Sequence, residues 1–277
     1  MNAIFRFFIY SNLFIASCAV LMINQTYQLL FHLPPNKYFL AFVFSATIAS
    51  YSFHWYLTSL PEKTSPRFDW LKKHRTFHLV LFFIGVASSA FFFFYFIEFW
   101  PWIFFSIFLT FLYSAPKLPH VWFKALLNVA IGKTIFLAMV WTYVTTMLPI
   151  AITSNNWTTA IILFCISRYF FIYAVCIIFD YRDRDSDKAE GIKSMITYFS
   201  ERGVDFLFFA SLVVYAAVTL LLLSYHFSMI DVILLLIPGV ITAFSYYPAK
   251  KNYSDIFYYF ILDGLMMLSA LLMLVIK

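Results

Sequence analysis

The sequence predicts an all-α, polytopic membrane protein that crosses the bilayer about nine times. Hydrophobic residues fill 63% of its 277 positions and charged residues only 12%, whereas soluble chains are about half apolar and about a quarter charged. Apolar runs of about twenty residues recur along the chain, and each is long enough to cross a hydrocarbon core of about 30 Å. Because backbone groups in lipid need internal hydrogen bonds, each run is predicted to be a helix.

The apolar runs follow one another along the whole chain as a single domain, residues 1–277. None shows the alternation that is typical of a transmembrane barrel. The nine expected spans are residues 7–30, 38–60, 77–97, 99–114, 122–150, 157–180, 204–226, 229–247 and 255–276.

Lys and Arg residues concentrate on one side of these spans. Fifteen of the nineteen lie in connections on that side or at the amino terminus, and two lie on the opposite side. Positive charge marks the cytoplasmic side, so the amino terminus and a polar cap are expected there, in a bacterial cytoplasmic membrane. Anionic lipid accounts for the net charge of +6, and no nucleic-acid partner is predicted.

Two basic residues, Lys133 and Arg168, fall inside predicted spans. A charge within a span is costly, by about 2.5–3.5 kcal/mol even on the mildest scale. Each side chain therefore either has a function or snorkels to the interface, and the sequence leaves both possibilities open.

One connection on the basic side is dense in charge of both signs. The stretch DYRDRDSDKAEGIKS, Asp180–Ser194, places nine charged side chains in fifteen positions. On a helix, Asp180, Asp183 and Asp187 share one face, while Asp185 points elsewhere. Aligned carboxylates repel one another unless a cation lies between them, and Mg²⁺ prefers such hard oxygen ligands. A diphosphate bridged by Mg²⁺ suits the neighbouring cations, which are Arg182, Arg184, Lys188 and Lys193.

A stretch this dense in charge can also form a solvated loop or a calcium loop. A solvated loop with local ion pairs is the ordinary fate of a charge run, and this possibility stays open. A calcium loop is suggested by the D-x-D-x-D pattern that begins at Asp183. It is disfavoured because Lys188 stands where the sharp turn needs Gly, and Ser194 stands where a bidentate Glu belongs.

Two stretches resemble motifs of the UbiA superfamily of intramembrane prenyltransferases. FDYRDRDSDKAEGIKS is similar to the second aspartate motif of that superfamily, and LYSAPKLPHVWFKALLNVAIG is similar to its Tyr-Ser-x-Pro turn. The resemblance implies a UbiA-like bundle in which Mg²⁺ is held by Asp180, Asp183 and Asp187, with Asp183 and Asp187 catalytic. The expected substrate-binding residues are His54, Tyr113, Lys117, Lys124, Arg182, Lys188 and Lys193.

The first aspartate motif of the superfamily, N-x-x-x-D-x-x-x-D, is missing from the end of the second span. Tyr51, Ser52, His54 and Tyr56 occupy that helix end. One carboxylate cluster holds one metal, so basic side chains must replace the second one. The candidates at the cytoplasmic mouth are His54, Arg67, Lys117 and Lys124.

The resemblance implies a transferase with two substrates, a prenyl diphosphate and a lipophilic aromatic or quinone-precursor acceptor. Two alternatives remain: a relative that binds isoprenoid lipids without catalysis, and a membrane transporter. A transporter is disfavoured because the acidic residues lie at one membrane face and no internal repeat with paired broken helices is visible.

Overall fold

The computed structural model consists of helices and their connections, with no strand in the residues that it describes. Those residues are 2–58, 65–114, 133–154, 156–189, 195–251 and 254–276. The side chains of Lys133, residues 185–189, Met195 and Thr197 fall outside this description.

The helices are numbered along the chain. The first half contains α1 (Ala3–Tyr10), α2 (Leu13–Thr26), α3 (Lys37–Leu57), α4 (Pro66–Lys73), α5 (Arg75–Phe93) and α6 (Trp100–Ser114). The second half contains α7 (Lys133–Thr142), α8 (Leu148–Thr153), α9 (Thr159–Ala189), α10 (Met195–Tyr198), α11 (Glu201–Leu221), α12 (Met229–Ala249) and α13 (Asp263–Ile276). Three π-helical turns extend this set: Tyr27–Phe31 after α2, Tyr143–Met147 between α7 and α8, and Phe257–Leu262 before α13.

Seven helical segments are long and apolar enough to cross a membrane, which confirms the all-α polytopic prediction. One of them, Arg75–Ser114, has 40 residues, about twice the length that one crossing needs. It bends at Phe96, whose φ of −129° and ψ of 24° are not helical. The bend separates α5 from α6. Counting α5 and α6 separately and adding the 21-residue α3, the described residues contain nine long helical segments, the number that the sequence predicts.

One predicted span boundary is wrong, and one helix continues beyond its predicted span. The first span does not begin at residue 7, because the chain breaks at Asn12, whose φ of 68° is left-handed, and α2 starts at Leu13. Asn is among the few residues that tolerate this conformation. The helix of the sixth span continues beyond residue 180, because α9 extends to Ala189.

The connection predicted at residues 61–76 contains a helix, α4. Ser65 caps it by accepting a hydrogen bond from the backbone N–H of Phe68, and Pro66 occupies its first turn. Serine is favoured as a cap because its hydroxyl accepts from a backbone N–H that has no partner in the helix. Proline is favoured in the first turn because it has no backbone N–H that would need a partner. This short helix carries Arg67 into the bundle.

Helices α3 and α5 pack at very close range through small residues. A Cβ atom added at Gly85 would lie 2.8 Å from the backbone N of Ala49 and from the backbone O of Ser45. The Ser45 hydroxyl also donates to that of Ser88 at 3.0 Å. Close approach of this kind is how helices associate in a bilayer, where no hydrophobic force drives them together.

Arg168 does not snorkel, because its side chain stays inside the bundle at 6% exposure. Its guanidinium lies 4.6 Å over the ring of Phe164. It donates five hydrogen bonds of 2.7–3.1 Å to the carbonyls of Met22 and Thr145, the hydroxyls of Thr26 and Thr146, and the amide oxygen of Gln25. Arg168 therefore links α9 to α2 and to the π turn Tyr143–Met147.

Candidate functional site

Helix α9 carries the acidic stretch beyond its apolar span without interruption. Asp180 and Asp183 therefore lie one turn apart on one helical face, as their spacing predicts. Asp180 is buried at 4% exposure, and the Thr134 hydroxyl donates to its Oδ2 at 2.5 Å. Asp183 is half-buried and accepts from Nε of Arg182 at 2.8 Å. The end of the bundle where these residues lie is called the acidic end below.

Several predicted site residues lie outside the described parts of the chain. They are Lys117, Lys124 and Lys193, together with the side chains of Asp187 and Lys188. Within the described residues, no group of three His, Cys, Asp or Glu is placed to hold a metal. The carboxylates that α9 presents are nevertheless the hard oxygen ligands that Mg²⁺ prefers, so their chemistry fits this ion.

The Arg182 side chain extends from α9 to the aromatic rings of the π turn Phe257–Leu262. Its guanidinium is 4.6 Å from the centre of the Tyr259 ring and 5.3 Å from that of Tyr258. Nε is used on Asp183, whereas one terminal nitrogen, Nη1, is buried without a hydrogen-bond partner among the described residues. The aromatic rings hold the cation in place and leave it a spare donor for an anion.

His54 and Tyr113, two predicted substrate-binding residues, come together at the acidic end. Their rings stack with centres 5.0 Å apart and an interplanar angle of 19°. Nδ1 of His54 is also 3.3 Å from the Ser114 hydroxyl. The ends of α3 and α6 are thereby joined, and the substrate-binding role of the two residues stays a prediction.

The helix end that lacks the first aspartate motif is occupied by a chain of hydrogen bonds. Ser52 is fully buried, and its hydroxyl accepts from the Asn12 amide nitrogen at 3.1 Å. The Asn12 amide oxygen in turn accepts from Nη2 of Arg67 at 3.1 Å. The left-handed backbone at Asn12 thus places an amide that connects α3 to the guanidinium of α4.

Arg67 does not reach the mouth of the bundle, so that expectation is wrong. Its side chain is 2% exposed, and its guanidinium lies 4.2 Å from the Trp55 ring centre, 4.9 Å from Tyr10 and 5.1 Å from Tyr259. Burial lowers the pKa of Arg67 to about 10, so the group still carries its charge at pH 7. It is a fixed positive charge inside the protein, not a mobile side chain.

Sequence reasoning missed Asp263, the first residue of α13. It is half-buried and follows Tyr259 by about one helical turn, and the Tyr259 ring lies against the guanidinium groups of both Arg67 and Arg182. Asp263 therefore belongs to the same group of side chains as the residues of the acidic end. The signal that could have found it is an acidic residue within the predicted span 255–276, where a charge is functional by default.

Comparison with known protein families shows the family of this chain. A family model described as the UbiA prenyltransferase family matches residues 71–262. The chain belongs to the UbiA prenyltransferase family. Members of this family are intramembrane prenyltransferases that act on prenyl diphosphates and lipophilic acceptors. No curated protein sequence matches the chain.

The matched region includes the acidic stretch of α9 and begins after the end of α3. The helix end from Tyr51 to Tyr56, where this UbiA protein lacks the first motif, thus lies outside it. Asp263 lies immediately beyond the last matched residue.

Proposed function

We propose that this UbiA protein transfers a prenyl group from an allylic prenyl diphosphate to a lipophilic aromatic acceptor, with Mg²⁺ on the acidic face of α9. One observation supports this most directly. The continuous α9 presents Asp180 and Asp183 on one face and sets a guanidinium with a spare donor, Arg182, beside them. Carboxylates for a metal and a fixed cation for phosphate oxygens are the two things a diphosphate site needs.

The protein residues have distinct parts in the proposed reaction. Mg²⁺, when bound, neutralises charge on the leaving diphosphate. Asp180, Asp183 and Asp187 would hold the ion, and Thr134 fixes the Asp180 carboxylate through its hydrogen bond. Arg182 donates its unused N–H groups to a diphosphate oxygen, and it is preorganised by the rings that surround it.

The missing first motif is offset by fixed positive charge. Arg67 and Arg182 both lie against Tyr259, so two guanidinium groups act on the space that this ring borders. A charge in an enclosed site of low dielectric acts at longer range than it does in water. We propose that these two cations, with His54 and the loop lysines Lys117 and Lys124, replace the second metal of the family arrangement.

A non-catalytic, lipid-binding relative is the second candidate. It is favoured by the hydrogen bond between Thr134 and Asp180, which occupies one carboxylate oxygen, and by the absence of a carboxylate at Ser52. Such a protein would bind a prenyl diphosphate and release it unchanged. The two candidates differ in whether the C–O bond of the diphosphate breaks.

Radiolabelled prenyl transfer with the full-length protein in detergent distinguishes them. We expect Mg²⁺-dependent transfer by the wild type and a loss of at least about 100-fold in Asp183→Asn, since catalytic electrostatic groups contribute about 10²–10³-fold. Asp185→Asn is the matched control, because Asp185 lies off the shared face and its loss should change the rate less than about threefold. Binding of the prenyl diphosphate without any bond cleavage would favour the lipid-binding candidate.

A further inference from the structure

A cavity of about 420 Å³ lies at the end of the bundle remote from the acidic end. Its walls come from the end of α2, the connection to α3, the start of α12 and the end of α13, and its polar lining is Asn24, Gln28, His32 and Asp231. Asn24 is the twelfth residue of α2, which places it about 18 Å along the helix axis from the start of that helix at the acidic end. The volume falls in the range of about 300–1,000 Å³ that is typical of small-molecule sites.

Two amide side chains of this cavity lack hydrogen-bond partners. Asn24 and Gln28 are four residues apart, so they lie about one turn apart on the same face of the helix. The amide nitrogen of Asn24 and the amide oxygen of Gln28 are buried without a partner among the described residues. Such groups are rare in folded proteins, because a buried polar atom without a partner is costly. The last side-chain torsions of Asn and Gln are broad, so both amides can turn towards a molecule in the cavity and find their missing partners there.

The apolar wall of the cavity is held in place by hydrogen bonds deeper in the bundle. Met273 lies in this wall, and its sulfur accepts from Nε2 of Gln25 at 3.3 Å. Oε1 of Gln25 in turn accepts from Arg168 at 2.7 Å. Leu29 and Leu33 also line the cavity, and Leu33 is 54% exposed, which places it at the mouth. A fixed apolar wall beside unpaired amides suits a molecule with a polar head and an apolar chain.

The charge and the hydrogen-bonding groups of the lining decide which polar head fits. Among the lining residues that the structure describes, Asp231 is the only Asp, Glu, Lys or Arg. Its Oδ2 accepts from the backbone N–H and the hydroxyl of Ser228, at 3.2 and 2.6 Å, and so caps α12. A phosphate head would be repelled by this carboxylate and would find no cation to hold it. An ammonium head only donates and leaves the Asn24 N–H unpaired, whereas a hydroxyl group both donates and accepts and fits an amide in either orientation.

We propose that this cavity binds an uncharged lipid whose polar head carries a hydroxyl group. The hydroxyl accepts from the Asn24 amide and donates to the Gln28 amide, whose Cβ atoms are about 5–6 Å apart at this spacing. The apolar chain lies against Leu29 and Met273 and leaves the cavity at Leu33. The site goes beyond the proposed prenyl transfer and does not depend on it, because it lies at the opposite end of the bundle.

Binding of radiolabelled 1-oleoylglycerol to the full-length protein in phosphatidylcholine nanodiscs tests this site. The surrounding lipid has no hydroxyl in its head group, so it does not compete for the amides. We expect saturable binding by the wild type. The dimethyl ether of oleoylglycerol should compete at least about tenfold more weakly than unlabelled oleoylglycerol, because it cannot donate a hydrogen bond. Geranylgeraniol in the same competition shows whether an acyl or an isoprenoid chain is preferred on the shared hydroxyl head.

Leucine variants assign the binding to the two amides. Gln28→Leu should weaken binding by about 3–10-fold, the value of one hydrogen bond, and the double variant with Asn24→Leu should weaken it further. Both should keep a wild-type Tm, because leucine removes an unpaired polar group and creates none. Asn156→Leu is the matched control and should bind as the wild type does, since Asn156 is exposed and does not line the cavity.

Several results would overturn the site. They are equal competition by the ether, undiminished binding in the folded double variant, and tighter competition by oleylamine or by oleoylglycerol phosphate than by oleoylglycerol. The absence of saturable binding by the wild type would show a cavity that holds water only. The binding measurement needs no prenyl transfer, so a failure of the proposed function would leave it intact.

Discussion

Replacing Arg168 with Lys tests whether the buried cation of α9 stabilises the bundle or binds a ligand. The guanidinium meets five acceptors on α2 and on the π turn Tyr143–Met147. A lysine ammonium keeps the charge but has only three N–H donors. In the wild type Nη1 serves four of the five acceptors and Nη2 serves the fifth, and a single ammonium cannot take the place of both nitrogens. The carbonyls of Met22 and Thr145 also accept from the Thr26 hydroxyl, at 3.1 and 2.8 Å. The two acceptors that lose their partner are therefore the Gln25 amide oxygen and the Thr146 hydroxyl.

The magnitude follows from the number of lost partners. A buried polar group without a partner costs about 1–3 kcal/mol, whereas hydrogen bonds between membrane helices average about 0.6 kcal/mol. Two lost partners then cost about 1–6 kcal/mol. The middle of this range, about 3 kcal/mol, corresponds to a fall in Tm of roughly 6–12 °C.

Thermal unfolding of the full-length protein in detergent, followed by tryptophan fluorescence, measures this change. Arg202→Lys is the matched control, because Arg202 is exposed at the start of α11 and its Tm should shift by less than about 2 °C. The binding of a prenyl diphosphate is measured in parallel and should be unaffected in folded protein. A wild-type Tm in Arg168→Lys combined with lost binding would refute the structural role.

Two other predictions concern topology and packing. A cysteine that replaces the exposed Lys73 should react with a membrane-impermeant maleimide only after the membrane is permeabilised. A cysteine that replaces the exposed Met229 should react from outside intact cells. The reverse pattern would contradict the predicted orientation. Gly85→Ala should lower stability by about 1–3 kcal/mol, because the new Cβ meets backbone atoms of α3 at 2.8 Å. Gly203→Ala, where the nearest atom is a side-chain oxygen 3.4 Å away, should be neutral, and equal effects would refute the packing argument.

The fold could be predicted because the membrane imposes one length and one secondary structure on every span. The acidic stretch was predictable for a related reason: its i, i+3, i+7 spacing has meaning only on a helix, and α9 does continue to Ala189. The break at Asn12 was not predicted, since a single polar pair such as Ser11 and Asn12 also occurs inside continuous membrane helices. It depends on a hydrogen bond to Ser52, forty positions away.

Charged residues were the hardest to place. Arg67 and Arg75 stand in the same polar connection, and local sequence does not distinguish them. Arg75 is exposed and bonds the carbonyl of Tyr56, whereas Arg67 is buried among rings from α1, α3 and the last span. These contacts join segments up to about 190 residues apart, as in the hydrogen bond from the Arg67 backbone N–H to Asp255. Only the packed bundle brings such partners together.

The missing first motif and the buried Arg67 are best understood as one change. Ser52 carries no carboxylate, and through Asn12 it is tied to the Arg67 guanidinium. A guanidinium tied to the end of α3 repels a divalent cation there. With Arg67 in this place, carboxylates at the end of α3 would hold a second Mg²⁺ less tightly. The fixed cation and the absent acids are therefore consistent with each other, and both favour a site with one metal.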